Sequence, residues 1–268
     1  MLVLIIPSYF KITPILLLKD RPWPIIASLG AFFIVTGTVF IFHKNITRIF
    51  FFGIIFLLLS IYQWRRDLIR ESRIIGGHSK FFQRALKIGI LLFILSEVMF
   101  FARFFWGFFH RSTVPCVEIG VTWPPFGIVA INPYGIPLLN TVILLSSGIS
   151  VTWRHHRLQK NNFEQRFYAL VITCLLGWVF LKIQLSEYMN SSFTFADRVF
   201  GSIFFIATGF HGLHVFIGSV LLSISGFRLF FFHFSNKHHI GYEAAIWYWH
   251  FVDVVWLFLF CFIYFWGY

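Results

Sequence analysis

The sequence predicts an all-α integral membrane protein with seven transmembrane helices. Hydrophobic residues fill 58% of the 268 positions and charged residues only 12%, which is about half the charged share of a soluble domain. Seven apolar stretches each approach or exceed the ~20 residues that cross a bilayer as a helix. These stretches run over residues 24–42, 48–66, 82–110, 135–154, 166–188, 198–230 and 242–266.

Residues 1–20 precede the first span and have no assigned role. They do not resemble a cleaved secretory signal, because residues 1–10 carry no Lys or Arg and because Pro7 and Pro14 interrupt the apolar run. We expect a single membrane domain over residues 21–268. Within it, the first two helices (about 21–75) form a packing unit apart from the last five (about 80–268).

The connection that follows the third span is the only long one. It runs from about Arg111 to Tyr134 and contains four prolines, which lack a backbone donor and fix φ, so we expect it to be ordered but not helical. The sixth span has no Asp, Glu, Lys or Arg from Val199 to Phe227. As a helix this stretch would be roughly 43 Å long, which predicts tilt or protrusion from the bilayer.

The net charge of +12 lies mainly in short loops between apolar stretches, an arrangement that orients a membrane protein rather than one that binds nucleic acid. The N-terminal segment and the second, fourth and sixth loops, which lie on one side of the membrane, together carry 16 Lys and Arg, against five on the other side. This bias predicts that the N-terminus is inside and the C-terminus outside. The second loop also interleaves acids with arginines, which suits anionic lipid headgroups as well as ordinary orientation charge.

Glu97 is the most informative residue. It stands in the stretch 88–102, where every other residue is apolar or small, with Phe93 and Phe101 about one turn away on either side. An ionised carboxylate is costly in such surroundings, so we expect the neutral acid to be favoured. Intramembrane acids mark a proton path, an ion path or a polar contact between helices, and the residues alone leave these three open.

His211 and His214 are three residues apart in the sixth span, and His250 and Asp253 have the same spacing in the seventh. Each pair shares a helix face. Together with Glu97 they could form a metal or haem site in a bundle. We favour neutral histidines that bond to neighbouring helices, because a metal site needs three or four convergent ligands and spacing does not show convergence.

The tryptophans near the ends of the last span are expected to anchor it at the membrane interface. These are Trp247, Trp249 and Trp266. The cysteines form no pair at metal spacing and no disulfide framework, and are expected to be small packing residues. They are Cys116, Cys174 and Cys261.

Several segments, in order from residue 21 onward, resemble subunit III of cytochrome c oxidase, the seven-helix subunit of the haem–copper terminal oxidases, in its mitochondrial or bacterial form. The last of these segments alone is a strong signal. They are RPWP (21–24), YQWRRDLIRES (62–72), SEVMFFARFFWGFF (96–109), WPPFG (123–127), residues 132–145, SEY (186–188), ATGFHGLHV (207–215) and KHHIGYEAAIWYWHFVDVVWLF (237–258).

The resemblance implies a non-catalytic role within an enzyme complex. In this family, subunit III holds no haem and no copper; haem a, haem a3 and copper belong to subunits I and II. Subunit III packs on subunit I and helps to sustain proton uptake over many turnovers. Its first two helices form a V with the five-helix bundle, and phospholipids such as cardiolipin, phosphatidylglycerol or phosphatidylethanolamine lie in the cleft. The implied location is the mitochondrial inner membrane or a bacterial plasma membrane, with supernumerary subunits as further partners.

The resemblance also implies roles for individual residues. Glu97 falls on the family's intramembrane glutamate, which hydrophobic carbodiimides modify. The family's lipid-headgroup positions fall on Arg70, Glu71, His78, Arg228 and His233. Three cations depart from the family pattern, namely Arg65, Arg103 and Arg111. Arg103 is expected to extend toward the outer side or to meet a partner subunit.

Two alternatives stay open. One is subunit III of a quinol-oxidising relative, although such subunits often lack the first two helices, which this chain has. The other is an independent proton-coupled transporter built around Glu97. A transporter would usually show repeat symmetry or broken spans near the middle of the membrane, and neither is visible in the sequence.

Overall fold

The computed structural model describes residues 21–70, 80–115, 117, 120–159, 163–231 and 240–268, without the side chains of residue 80 and of residues 154–159 and 163–166. In this part of the chain every regular element is helical. The helices are α1 (Trp23–Lys44), α2 (Arg48–Arg70), α3 (Lys80–Thr113), α4 (Ile136–Gln159), α5 (Phe163–Met189), α6 (Arg198–Phe230) and α7 (Ile240–Phe258), the last continuing as a π-helical segment over Leu259–Phe265.

Among the described residues, seven helices are long and apolar enough to cross a membrane, which confirms the predicted all-α fold and its seven spans. The predicted and observed ends agree to within a few residues for most helices. α4 is the exception, because it continues to Gln159, five residues past the predicted end. The basic sequence there reads as a loop by hydropathy, yet it extends the helix beyond the apolar segment.

The described residues group into two compact units, divided between Leu86 and Lys87. In the first unit, α1 and α2 approach closely at glycines. A Cβ on Gly37 would lie 2.5 Å from the backbone nitrogen of Phe50, and one on Gly53 would lie 2.7 Å from that of Ile34. Only a residue without a side chain permits such a backbone approach, as is common between membrane helices.

The second unit has α7 in its core. Three large aromatic side chains at intervals of seven residues are fully buried, namely Tyr242, Trp249 and Trp256. A seven-residue repeat keeps one face of a helix against its neighbours. The indole N–H of Trp249 donates to Ser147 Oγ on α4 at 2.9 Å, and that of Trp256 to Thr141 Oγ1 at 2.9 Å. These two bonds satisfy polar atoms that lipid and apolar side chains could not.

Trp249 is therefore not the interfacial anchor that the sequence predicted, and that interpretation is wrong. It lies well inside α7 and is 0% exposed. An indole is amphipathic, and here its polar N–H is matched by a hydroxyl on the neighbouring helix rather than by the interface. Trp247 is half-buried and Trp266, near the C-terminus, is 51% exposed, so for these two the anchoring role stays a prediction.

The connection between α3 and α4 is non-helical apart from one short turn around Val117 in its described residues, as predicted. Trp123 holds it in place, because its ring contacts those of Phe108 and Phe200 at centroid distances of 5.4 and 5.5 Å. Ser192 Oγ donates to the Val129 carbonyl at 2.8 Å. The connection is thus packed onto the ends of α3, α5 and α6.

Candidate functional site around Glu97

Glu97 on α3 is joined to His214 on α6. The Oε2 atom of Glu97 lies 2.8 Å from Nε2 of His214, and Nδ1 of the same ring lies 2.7 Å from the carbonyl oxygen of Phe210. The side chains are 23% and 9% exposed, respectively. The sequence predicted a polar contact between helices as one of three uses for this acid, and the structure provides that contact.

The contacts of His214 determine how many protons the pair holds. A backbone carbonyl only accepts hydrogen bonds, so Nδ1 carries a proton and donates it to Phe210. The short contact between Nε2 and Glu97 Oε2 then needs one proton between them. Whether that proton lies on the acid or on the imidazole, the pair has a net charge of zero.

The surroundings of the pair favour this neutrality. Rings of Phe100, Phe101, Tyr248 and Phe251 contact the His214 ring at centroid distances of 5.1 to 6.3 Å. A charge without its counter-charge would be costly among these rings. A neutral pair avoids this cost, because it can share or relocate one proton internally.

Glu97 also lies near the middle of its span. The apolar part of α3 runs from residue 88 to residue 109, between Lys87 and His110, and is roughly 33 Å long at 1.5 Å per residue. Glu97 is about 2 Å from its midpoint by the same rise. The pair therefore couples α3 to α6 deep within the apolar region.

His211 shares α6 with His214 but has a different environment. It is 0% exposed and lies beside Phe180 and Trp256, with ring centroids 5.6 and 5.2 Å away. Neither ring nitrogen has a hydrogen-bond partner among the described residues. The structure thus places His211 in the aromatic core and not beside Glu97.

His250 and Asp253 form a third polar location, between α7 and α4. His250 Nδ1 lies 3.6 Å from Asp253 Oδ2, and its Nε2 lies 3.2 Å from Thr152 Oγ1 on α4. Gly148 on α4 makes room for the carboxylate, because a Cβ there would lie 2.5 Å from Asp253 Oδ2. His250 thus makes a bond to a neighbouring helix, as the sequence analysis favoured for the histidines, whereas Asp253 contacts His250 on its own helix.

The five polar residues that could have formed a metal site therefore lie at three separate places in the bundle. In the part of the chain that the structure describes, no group of three or more His, Cys, Asp or Glu side chains could hold a metal ion. Through their hydrogen bonds, Glu97 and His214 join α3 to α6, and His250 joins α7 to α4.

Two of the predicted lipid-headgroup residues can be located. Arg70 is exposed at the end of α2. Arg228 is half-buried near the end of α6, and its Nη1 atom lies 3.0 Å from the place where a Cβ on Gly241 would be. Glu71, His78 and His233 lie outside the described residues.

Another buried acid, Glu187, was not singled out by the sequence. Glu187 on α5 is 3% exposed, and its Oε1 atom accepts from the Tyr264 hydroxyl at 2.6 Å and from Gln184 Nε2 at 3.1 Å. Asn140 on α4 donates to Gln184 Oε1 at 3.3 Å. The sequence does show that Gln184 and Glu187 are three residues apart and so share a helix face. It does not show that their partners are Asn140 on α4 and Tyr264 in the π-helical segment.

An ion pair was also missed. Lys87 Nζ on α3 lies 2.6 Å from Glu243 Oε2 on α7, and the ammonium group is 6.0 Å from the ring centroid of Trp247. Sequence reasoning counted Lys87 only as a loop cation. The pair joins the first part of α3 within the second unit to the start of α7.

Comparison with known proteins agrees with the resemblance seen in the sequence. Residues 13–268 match the family described as cytochrome c oxidase subunit III. The cytochrome c oxidase subunit 3 of Lycodon semicarinatus and that of Homo sapiens are each 51% identical to this chain, over 94% of its length and 96% of theirs. That of Pisaster ochraceus is 50% identical over 95% and 98%. This chain therefore belongs to the cytochrome c oxidase subunit III family.

Proposed function

We propose that this chain is a non-catalytic core subunit of cytochrome c oxidase, respiratory complex IV, in the mitochondrial inner membrane. In this proposal it packs on subunit I, contacts subunit II and supernumerary subunits within the complex, and leaves haem a, haem a3 and copper to its partners. The observation that carries the proposal is the identity of about half the residues over nearly the whole chain to proteins named cytochrome c oxidase subunit 3.

The use of polar side chains inside the second unit supports a structural role. Two tryptophans of α7 donate to hydroxyls of α4. The hydroxyls of Ser150 and Thr173 join α4 to α5 at 2.7 Å, and the Tyr188 hydroxyl joins α5 to Thr208 of α6 at 2.8 Å. Such interhelical bonds stabilise a bundle in lipid, and they occupy groups that could otherwise serve catalysis.

The Glu97–His214 pair supports a role in proton uptake that is auxiliary. Because the pair is neutral, adding or removing a proton creates a net charge among aromatic rings, which is unfavourable. It can therefore respond to a nearby charge by relocating its proton. We propose that it tunes proton uptake by the neighbouring subunit and does not carry the main proton current.

Phospholipid binding is proposed at the two arginines that can be located. A guanidinium presents several N–H donors to a phosphate. Arg70 and Arg228 each lie at or near a helix end, where a headgroup would be. The group that the arginines would bind is the phosphate of the headgroup. The class of lipid would be identified by analysing the lipid that copurifies with the complex.

Purification of the tagged chain from its own membranes tests the proposal. The tagged chain should bring down haem a, copper and two larger membrane subunits in fixed stoichiometry, whereas an untagged strain serves as the control. Enzyme stripped of this chain should start at near-normal turnover and lose activity faster over repeated cycles. Recovery of the chain alone, free of haem and copper, would contradict the proposal.

A further inference from the structure

One cation in α3 lies at a depth where lipid offers no counter-charge. Arg103 is exposed and lies between Lys87 and His110, within the apolar part of the helix. At 1.5 Å per residue, its Cα is roughly 10 Å from the end of the apolar part that lies beside His110. An arginine at such depth is costly unless it reaches the interface or meets a polar group.

The side chain of Arg103 does not extend toward the nearer end of the apolar segment. Its guanidinium carbon lies 5.5 Å from the ring centroid of Phe100, one turn deeper, and 5.3 Å from that of Phe104. This agrees with the general tilt of helical side chains toward the N-terminus of their helix. These two rings offset part of the charge, and no ion pair joins Arg103 to another described residue.

Arg103 also lies on a stripe of exposed residues with the spacing of a helix–helix seam. Leu92, Met99 and Trp106 are 60%, 64% and 75% exposed. Ser96 and Arg103, which lie between them on the same helix face, are exposed as well. The intervals of four and three residues repeat along the stripe, as they do where two helices pack with a small crossing angle. We define the α3 stripe as Leu92, Ser96, Met99, Arg103, Trp106 and His110.

We propose that the α3 stripe binds a transmembrane helix of another subunit, and that this helix carries an Asp or Glu that pairs with Arg103. The stripe supplies the spacing for helix packing, and the unpaired guanidinium supplies the charge that selects the partner. A lipid phosphate is a poorer occupant, because phosphates lie beyond the end of the apolar segment while the guanidinium lies well inside it.

Photo-cross-linking in the intact complex tests this inference, which rests on membership of the oxidase complex. A photoreactive residue at Trp106 should capture one polypeptide, and peptide mapping should place the cross-link in a membrane span that contains a carboxyl. The same residue at Leu175, which is 58% exposed on α5, is the control and should not capture that span. Labelling of lipid alone, or of a span without Asp or Glu, would overturn the proposal.

Substitutions of Arg103 give a second readout. Arg103→Gln should lower the cross-linking yield or the occupancy of the partner on the order of tenfold, while Arg103→Lys should largely preserve it. Lys182→Gln, which removes an exposed cation from α5, should leave it unchanged. If the Arg103→Gln chain fails to accumulate, the proposal is still tested by the Arg103→Lys variant and by the cross-link formed when Arg103 is unchanged. If Arg103 is unchanged and the complex has full haem content, absence of the cross-link overturns only this inference, whereas a chain purified without haem would also contradict the proposed function.

Discussion

Replacing Gly177 with alanine should destabilise the second unit by crowding Trp249. A Cβ at Gly177 would lie 2.6 Å from Ser219 Oγ and 2.7 Å from Cη2 of Trp249. Ordinary contact begins at 3.4 Å, so the indole would have to retreat by about 0.7 Å. It has little room, because a Cβ on Gly218 would lie only 2.9 Å from Cε3 of the same ring.

The expected magnitude follows from two opposing effects. Overpacking of a filled core costs about 1–3 kcal/mol, and exchanging glycine for alanine in a helix returns up to about 1 kcal/mol. The net loss of unfolding free energy should be about 1–2 kcal/mol. In the purified complex this should lower the temperature at which the chain unfolds by roughly 2–6 °C, measured by scanning calorimetry and by release of the chain.

Two further variants make the test specific. Gly209→Ala places a methyl group on α6 where no atom lies within 4 Å, so it should be neutral or slightly stabilising. Gly177→Ala combined with Trp249→Phe should cost less than the sum of the two single changes, because phenylalanine lacks the crowded atom. Equal stability of Gly177→Ala and Gly209→Ala would refute the view that Trp249 is fixed between two helices.

Three other changes follow from the same structure. Glu97→Gln should leave steady-state oxygen reduction largely intact, because a glutamine amide can donate to Nε2 of His214, and it should abolish labelling by a hydrophobic carbodiimide; complete loss of turnover would show a larger role for the acid. Trp256→Phe removes the bond to Thr141 and leaves a cavity, so it should cost about 1–3 kcal/mol in thermal stability of the complex, and an unchanged melting temperature would count against the buried bond. Arg228→Ala should reduce the phospholipid that copurifies, as measured by mass spectrometry, and unchanged lipid content would argue against headgroup binding there.

Much of the fold could be predicted because lipid imposes a simple rule on sequence. A span must satisfy its backbone internally and be apolar over about 20 residues, so the seven helices are visible as seven apolar stretches. The ends were less certain where polar residues extend a helix past the membrane, as in the last turns of α4. Hydropathy marks where the apolar region ends and not where the helix ends.

The candidate site could be predicted only in part. Glu97 stood out because a carboxylate among apolar residues is costly, but its partner is 117 residues away in the chain, and helical spacing relates only residues on one helix. The same limit explains why His211 and His214 were grouped although only one of them contacts Glu97. Glu187 was not predicted to be part of a site, because its environment depends on contacts between helices. It accepts from Tyr264, and it is linked to Asn140 on α4 through Gln184.

Hydropathy and motifs were enough to predict a helical protein with seven spans that resembles subunit III of cytochrome c oxidase. Only the three-dimensional packing shows that Glu97 is bonded to His214 and that Trp249 fills the core instead of the interface. The physical reason is that membrane helices are apolar on all faces, so composition does not tell a lipid-facing surface from a packed one. In the most apolar part of α3 only 6% of the residues are buried, whereas in the most apolar part of the last span 56% are buried. Both helices are nevertheless strongly apolar.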